Sequence, residues 1–269
     1  MKYFSYKPPD NLADIVHFYW SLEGKIPYGQ MYVLRTMANF CPELIFHYGG
    51  KFMEITCKNS IETTFITGIH GQTDKIRRFF ATDQYGIFGV ILHPYAIPLL
   101  FGISSLETSN QLIDLPSILG SDGEMLTEQM LTAQDNLTRI QIINQFIKKK
   151  LRVYKRPEII DVTRLICREN GRVDVKRMAE QAFLSQRQFE RNFKELTGFS
   201  PKTFARLVRF KSLINNYNQD DKSLTQVAYD FGYYDQSHFI RDFKSFSGYT
   251  PNTYFSGGAS EIFYAPSVL

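Results

Sequence analysis

The feature that most constrains this chain is a repeat near its C-terminal end. Leu184 to Phe204 reads LSQRQFERNFKELTGFSPKTF, and Tyr234 to Tyr254 reads YDQSHFIRDFKSFSGYTPNTY. At an offset of 50 residues, eight of 21 positions are identical. They are Gln186/Gln236, Phe189/Phe239, Arg191/Arg241, Phe193/Phe243, Lys194/Lys244, Gly198/Gly248, Pro201/Pro251 and Thr203/Thr253. Phe199/Tyr249, Ser200/Thr250 and Phe204/Tyr254 are close substitutions. Chance does not readily give such a match, so the pair is read as a duplicated structural unit.

Each copy carries its own helix boundaries. Ser185 and Asp235 suit N-caps, and Ser185 with Gln188 has the capping-box spacing. Phe189, Phe193 and Leu196 fall at i, i+4 and i+7, as do Phe239, Phe243 and Phe246, and such stripes demand burial. Gly198 and Gly248 stand at C′, where a positive φ is needed. Ser200-Pro201 and Thr250-Pro251 then restart a helix with a cap and a proline at N1. Upstream, Val175, Met178, Ala179 and Ala182 behind Asp174 predict one short helix. Leu224, Val227, Ala228 and Phe231, behind the capping box Ser223-x-x-Gln226, predict its counterpart. Helix, tight turn and second helix make a helix-turn-helix, and here it occurs twice.

Between the units, Thr203 to Asn218 predicts a helix of roughly 24 Å at 1.5 Å per residue. Its apolar stripe is Phe204, Leu207, Phe210, Leu213 or Ile214, and Tyr217. Such a rod spaces two recognition helices for successive major grooves, about 34 Å apart. With the phenylalanines inward, the first recognition helix exposes Gln186, Arg187, Glu190, Arg191 and Lys194. The second exposes Gln236, Ser237, His238, Arg241 and Lys244. Arginine and glutamine near a helix N-terminus reach base edges. Base contacts are therefore expected from Gln186, Arg187, Arg191, Gln236, Ser237, His238 and Arg241. Phosphate contacts are expected from Ser185, Lys194 and Lys244. His238 suits a capping or packing role equally well, and Glu190 is either a cytosine acceptor or a surface residue. From Arg172 to Lys211 the local charge is +6, whereas the whole chain carries only +4. Any polyanion site is therefore local. Exposed Arg and Lys also occur on any solvated helix, and it is their repetition at matched positions inside capped frames that favours DNA.

Residues 172–256 resemble the DNA-binding domain of AraC-type transcription regulators. The signature is Ala228-x-x-x-Gly232-Tyr233, then Asp235-Gln236-Ser237-His238-Phe239, Arg241, Phe243-Lys244 and Gly248-Tyr249-Thr250-Pro251. The resemblance implies two helix-turn-helix motifs joined by one long helix. It implies base contacts at Arg187 and Arg191, then Ser237 and Arg241, with Gln186, Gln236 and His238 as neighbours. Two departures stand out. Phe183 occupies a place where the family has glycine, as the second unit does at Gly232. Leu213 replaces a small alanine in the linking helix, which ends in Asn215, Asn216 and Asn218.

The first third reads as β structure. Apolar or alternating runs at Ile15–Leu22, Glu43–Tyr48, Phe65–Ile69 and Ile87–Leu92 are separated by turns such as Gly49-Gly50 and Lys58-Asn59-Ser60, predicting a barrel or sandwich. Leu99–Ile103, Glu124–Thr132 and Arg139–Leu151 read as helices, and every element after Pro157 reads as helical. Ile87 to Ile103 contains His93, Pro94 and Pro98, so it reads as a strand and a helix rather than a membrane span. Lys148 to Arg156 holds six basic residues in nine. It reads as a helix end and linker, with a phosphate role as the competing reading. The fold class expected is α+β, with a β-rich sensor or dimerisation domain at 1–150 and a linker at 151–157. The DNA-binding domain follows at 158–256 and a tail at 257–269.

Cys41, Cys57 and Cys167 are too scattered for a disulfide scaffold or structural zinc and fit a reducing cytosol, and the start has no signal-peptide pattern. His17, His47, His70 and His93 lack an H-x-H pattern and read as core or surface histidines, although a four-histidine site assembled in space stays open. No metal or cofactor is expected. Tyr19, Trp20, Phe46, Tyr48 and Phe88 are candidates to line an effector pocket, with core packing the equal alternative. The function expected is a cytoplasmic, sequence-specific transcription regulator and not an enzyme, with an activator role in view. Its partners are double-stranded DNA, RNA polymerase, a small-molecule effector and a second copy of the chain, with no membrane partner. A barrel enzyme fused to a DNA-binding module is the alternative. An architectural DNA binder without sequence preference is disfavoured by the modest net charge.

Overall fold

The computed structural model describes residues 1–56, 60–217, 223–259 and 262–263. Cys57, Lys58, Asn59, Asn218 and most of the expected tail lie outside the described residues. Among the described residues the N-terminal part contains ten strands. They are β1 (Lys2–Tyr6), β2 (Val16–Gly24), β3 (Tyr32–Thr36), β4 (Glu43–His47), β5 (Met53–Ile55), β6 (Ile61–Thr63), β7 (Thr67–His70), β8 (Arg77–Ala81), β9 (Tyr85–Leu92) and β10 (Leu112–Asp114). One sheet runs β1-β2-β9-β4-β7-β10, and every pairing in it is antiparallel. A second runs β3-β8-β5-β6, and a two-residue strand from the C-terminal end, β11 (Ile262–Phe263), joins its β3 edge in parallel. The expectation of helices alone after Pro157 is corrected by that strand.

Helices α1 (Ala96–Phe101), α2 (Ser105–Thr108), α3 (Leu115–Leu119), α4 (Ser121–Thr132) and α5 (Asn136–Lys150) follow the sheets. β9 is buried at all eight positions because the first sheet is covered on both faces, which removes the polar alternation of a half-exposed strand. Side chains of β2 and β4 alternate between those faces. Tyr19 reaches outward to Asn144 on α5, and Ser21 accepts from Asn136. Phe18, Trp20, Glu43, Ile45 and His47 turn inward to a cavity. Of the five aromatic residues expected to line a pocket, Trp20 alone does so. Tyr19 and Phe88 stack together in the core, Phe46 is fully buried, and Tyr48 bonds Glu23 and lies under the Arg139 guanidinium. The residue types signalled burial, but facing depends on register, which slips a whole strand's side chains when it moves by one.

The C-terminal part is α6 (Pro157–Arg168), α7 (Val175–Gln181), α8 (Gln186–Thr197), α9 (Pro201–Asn216), α10 (Leu224–Asp230), α11 (Gln236–Ser247) and α12 (Pro251–Phe255). α5 ends at Lys150 and Leu151 to Arg156 connects it to α6, which opens at Pro157. Lys150 pairs with Asp122 at 2.5 Å. A continuous apolar core joins the two parts. Among the described residues, no helix is long and apolar enough to cross a membrane.

Candidate nucleic-acid interface

The duplicated caps form as their residues dictate. Ser185 accepts from the Gln188 N–H while Gln188 returns to the Ser185 N–H, closing a capping box on α8. Asp235 accepts from the His238 N–H at 2.7 Å on α11. Asp174, Ser200, Ser223 and Thr250 cap their helices in the same way. The expected box at Ser223 is only half made, because the Gln226 amide turns to Asp230 instead. Gly198 and Gly248 take φ of +82° and +80° at the C-terminal ends of α8 and α11.

Burial of the two phenylalanine stripes fixes what each helix shows to solvent. Phe189, Phe193, Phe239 and Phe243 are fully buried. On α8 the opposite face exposes Gln186, Arg187, Arg191 and Lys194, with Ser185 exposed at its cap. Gln186 donates to Glu190 one turn on, so Glu190 orients an amide on that face. On α11, Ser237, Arg241 and Lys244 are exposed and share one open hollow with Ile240 and Ser245. Gln236 and His238 are half-buried. Gln236 accepts from Thr225 of α10, and the His238 ring faces Tyr233 and Asp242. Among the described residues no ion pair engages Arg187, Arg191, Lys194, Arg241 or Lys244, leaving their charges free for phosphates or base edges.

α9 joins the units, and its 16 residues span roughly 24 Å. Phe204 packs edge-on to Phe193 of α8, and Phe210 packs on Phe243 and Phe246 of α11. Arg206 grips Asp242 with two bonds of 3.0 and 2.6 Å, and Asp242 is only 1% exposed. Arg209 donates to the Gly232 carbonyl in the turn of the second unit. Arg206, Arg209 and Asp242 thus position α11 against the rod, a role the sequence reading missed. The available signal was a carboxylate inside the Phe239–Phe243–Phe246 stripe, where an unpaired charge is untenable. Asn192 is the matched residue of the first unit, and its Nδ2 has no such partner.

The expected histidine positions divide between two places. His47 and His70 line the inner cavity, where burial lowers them to about 4 and about 3, so both are neutral. His17 and His93 meet edge-on at 5.4 Å beside a second, smaller hollow. Among the described residues no three His, Cys, Asp or Glu side chains gather to hold a metal ion. Burial raises the thiols of Cys41, to about 11, and of Cys167, so neither is an activated nucleophile.

Residues 178–257 match a family described as a helix-turn-helix domain, and residues 4–114 match a domain of unknown function, DUF6597. No curated protein matches the chain. Among solved structures, ToxT from Vibrio cholerae is similar over 88% of this chain and 98% of its own, with 12% identity and a TM-score of 0.47. The DNA-binding domain of AdpA, solved with a target DNA, shares 24% identity over 37% of this chain and 91% of its own, with a TM-score of 0.35. An AraC-type regulator from Chromobacterium violaceum shares 22% identity over 39% of this chain and 94% of its own, with a TM-score of 0.35. Each likeness is distant in sequence and loose in superposition. The doubled, capped helix-turn-helix frame lies inside the stretch that matches the helix-turn-helix family, in keeping with its resemblance to AraC-type DNA-binding domains, and the stretch before it matches DUF6597.

Proposed function

We propose that the chain is a sequence-specific transcription regulator whose two recognition helices, α8 and α11, enter successive major grooves of one DNA site. The observation that carries this is the pair of capped helices, each burying a phenylalanine stripe and exposing arginine and lysine at repeat-matched positions. Arg187, Arg191, Ser237 and Arg241 read base edges, with Gln186, Gln236 and His238 beside them. Ser185, Lys194 and Lys244 hold phosphates. Two reading heads on one rod require two half-sites about one helical turn apart. Residues 1–150 form the regulatory part, 151–157 the linker, 158–256 the DNA-binding part and 257–269 the tail.

The inner cavity supports control by a small ligand. It is lined by Trp20, Glu43, His47 and His70 of the sheets and by Phe210 and Lys211 of α9. A molecule seated there touches the rod that carries both heads. In this reading the protein works in the cytoplasm without catalysing a reaction, and recruitment of RNA polymerase and pairing of two chains belong to its action at a promoter. Mapping the DNA it occupies in the cell tests the proposal. A bipartite motif with half-sites about 10 base pairs apart is expected. Occupancy without any shared motif overturns it.

A further inference from the structure

Both recognition helices end against one narrow ridge of the N-terminal domain. The ridge is residues 37–40 beside residues 71–75, with α2 and its flanking serines bonded to it through Gln72, and it is locked by a two-way backbone bridge between Asn39 and Thr73 at 2.8 Å in each direction. On one side stands the C-terminal end of α8. The last carbonyls of a helix have no partner within it, and here the N-terminal domain supplies donors to four in succession. Ser104 donates to Glu195 O at 3.2 Å, Ser105 to Leu196 O at 2.6 Å, Gln72 to Thr197 O at 3.0 Å and Ser109 to Gly198 O at 3.1 Å. Gln72 is fully buried, and its amide is also tied to Ser105 O at 2.9 Å. On the other side of the ridge, the Ala38 N–H donates to Phe246 O of α11 at 2.8 Å, and the Arg35 guanidinium lies 4.4 Å from the Tyr249 ring centre.

Leu196 and Phe246 are repeat-matched residues, so the same point of each unit is held. The two C′ glycines also touch the N-terminal domain. A Cβ at Gly198 would stand 2.0 Å from the Gln72 amide, and one at Gly248 would stand 2.7 Å from Arg35. Between the two holds, Phe40 packs edge-on to Phe204 in the first turn of α9 at 5.1 Å. The rod ties the two heads together from one side and the ridge ties them from another, so the frame is closed. Its separation cannot change without breaking bonds on one of those sides.

We propose that this ridge is a ruler: Gln72, with Ser105 and Ser109, fixes the separation of α8 and α11 and thereby the half-site spacing the protein accepts. These are positioning residues that do not touch DNA, and the proposal rests on the reading of α8 and α11 as base-reading helices. A spacing longer or shorter by one base pair shifts and rotates one half-site, and a stiff protein leaves the duplex to absorb that deformation. Removing the ridge's grip lets the protein absorb it instead.

The test is selection of bound sequences from a random DNA library by the full chain, by Gln72→Leu and by Ser109→Ala. Ser109→Ala is the gentler cut, because it leaves the Gln72 bonds to Ser105 and Thr197 in place; thermal unfolding verifies that each variant is folded. The parent is expected to prefer its best spacing over neighbouring ones by about tenfold. Gln72→Leu is expected to recover the same two half-site motifs with that preference reduced to about twofold, and Ser109→Ala to move the same way by less. General loss of stability would weaken all spacings alike and would not broaden the distribution. Folded variants that recover the parent's motifs at the parent's single spacing overturn the ruler. A parent chain that selects no paired half-sites overturns the DNA-reading assignment beneath it.

Discussion

Replacing Phe183 by glycine is expected to stabilise the protein. Phe183 follows α7 with φ of +54° and is 91% exposed. Its N–H donates to Glu180 O, and the next N–H, of Leu184, returns to Ala179 O. That is a Schellman closure with phenylalanine at C′, where a left-handed backbone is required. The second unit makes the same closure with Gly232 at φ +75°, bonding Tyr229 O, while Tyr233 bonds Ala228 O. A side chain with a Cβ pays about 1–2 kcal/mol in that conformation. Glycine removes this cost but frees the unfolded chain by about 0.4–1 kcal/mol. With little side-chain burial to lose, the net gain is about 0.5–1 kcal/mol, or roughly 2 °C in Tm for a chain this size. Thermal unfolding followed by far-ultraviolet circular dichroism reads the change, with Phe183→Ala, which keeps the Cβ, as the control. The reciprocal Gly232→Ala is expected to lose about 1 kcal/mol. A Phe183→Gly protein less stable than its parent would refute the strain argument and show that the exposed ring has a partner.

Three further outcomes follow from the same geometry. Burial pushes the Glu43 carboxyl up to about 7 from an ordinary 4.5, against the opposing pull of Lys211. Between those values the folded chain holds a proton that the unfolded chain has released, so this group's contribution to stability falls as pH rises through the window. Glu43→Gln is therefore expected to gain about 1–3 kcal/mol over the parent at pH 8 and to lose that advantage near pH 4; urea unfolding across pH measures the difference, in which the buried histidines common to both chains cancel. Asp242→Asn removes the charge opposite Arg206, itself 31% exposed. It is expected to cost about 2–4 kcal/mol and to weaken binding to the half-site read by α11 more than to that read by α8, as DNA-binding titrations on single-half-site variants would show. Lys194→Ala and Lys244→Ala are each expected to lower the slope of log affinity against log salt by about 1 without changing the base preference.

The doubled DNA-binding frame was legible because its instructions are local. Ser185, Asp235, Gly198, Gly248, Pro201 and Pro251 set caps and turns within four residues of where they act. α9 was legible on one face only. The stripe through Phe204, Leu207 and Phe210 is buried, but Ala205, Val208, Lys211 and Ser212 are buried too. Phe40 meets the rod at both Phe204 and Lys211. That second contact comes from residues more than 160 positions away in sequence, which no periodicity within the helix can announce. In the N-terminal part the long apolar strands β2, β4 and β9 were found, whereas β5, β6 and β10 have three residues each and carry too little pattern to register. Gln72 sits between Gly71 and Thr73 in no helical or strand pattern, and its role exists only where α8 ends.

The central claim is that α8 and α11 read different parts of one DNA site, and base-preference profiling of Arg191→Ala and Arg241→Ala on a library built around the selected operator tests it most directly. Each change is expected to cost about 1–3 kcal/mol at one base position and leave the others intact, the two positions lying about one helical turn apart. Two variants that bind with the parent's affinity and profile, or that lose preference at the same position, would contradict it.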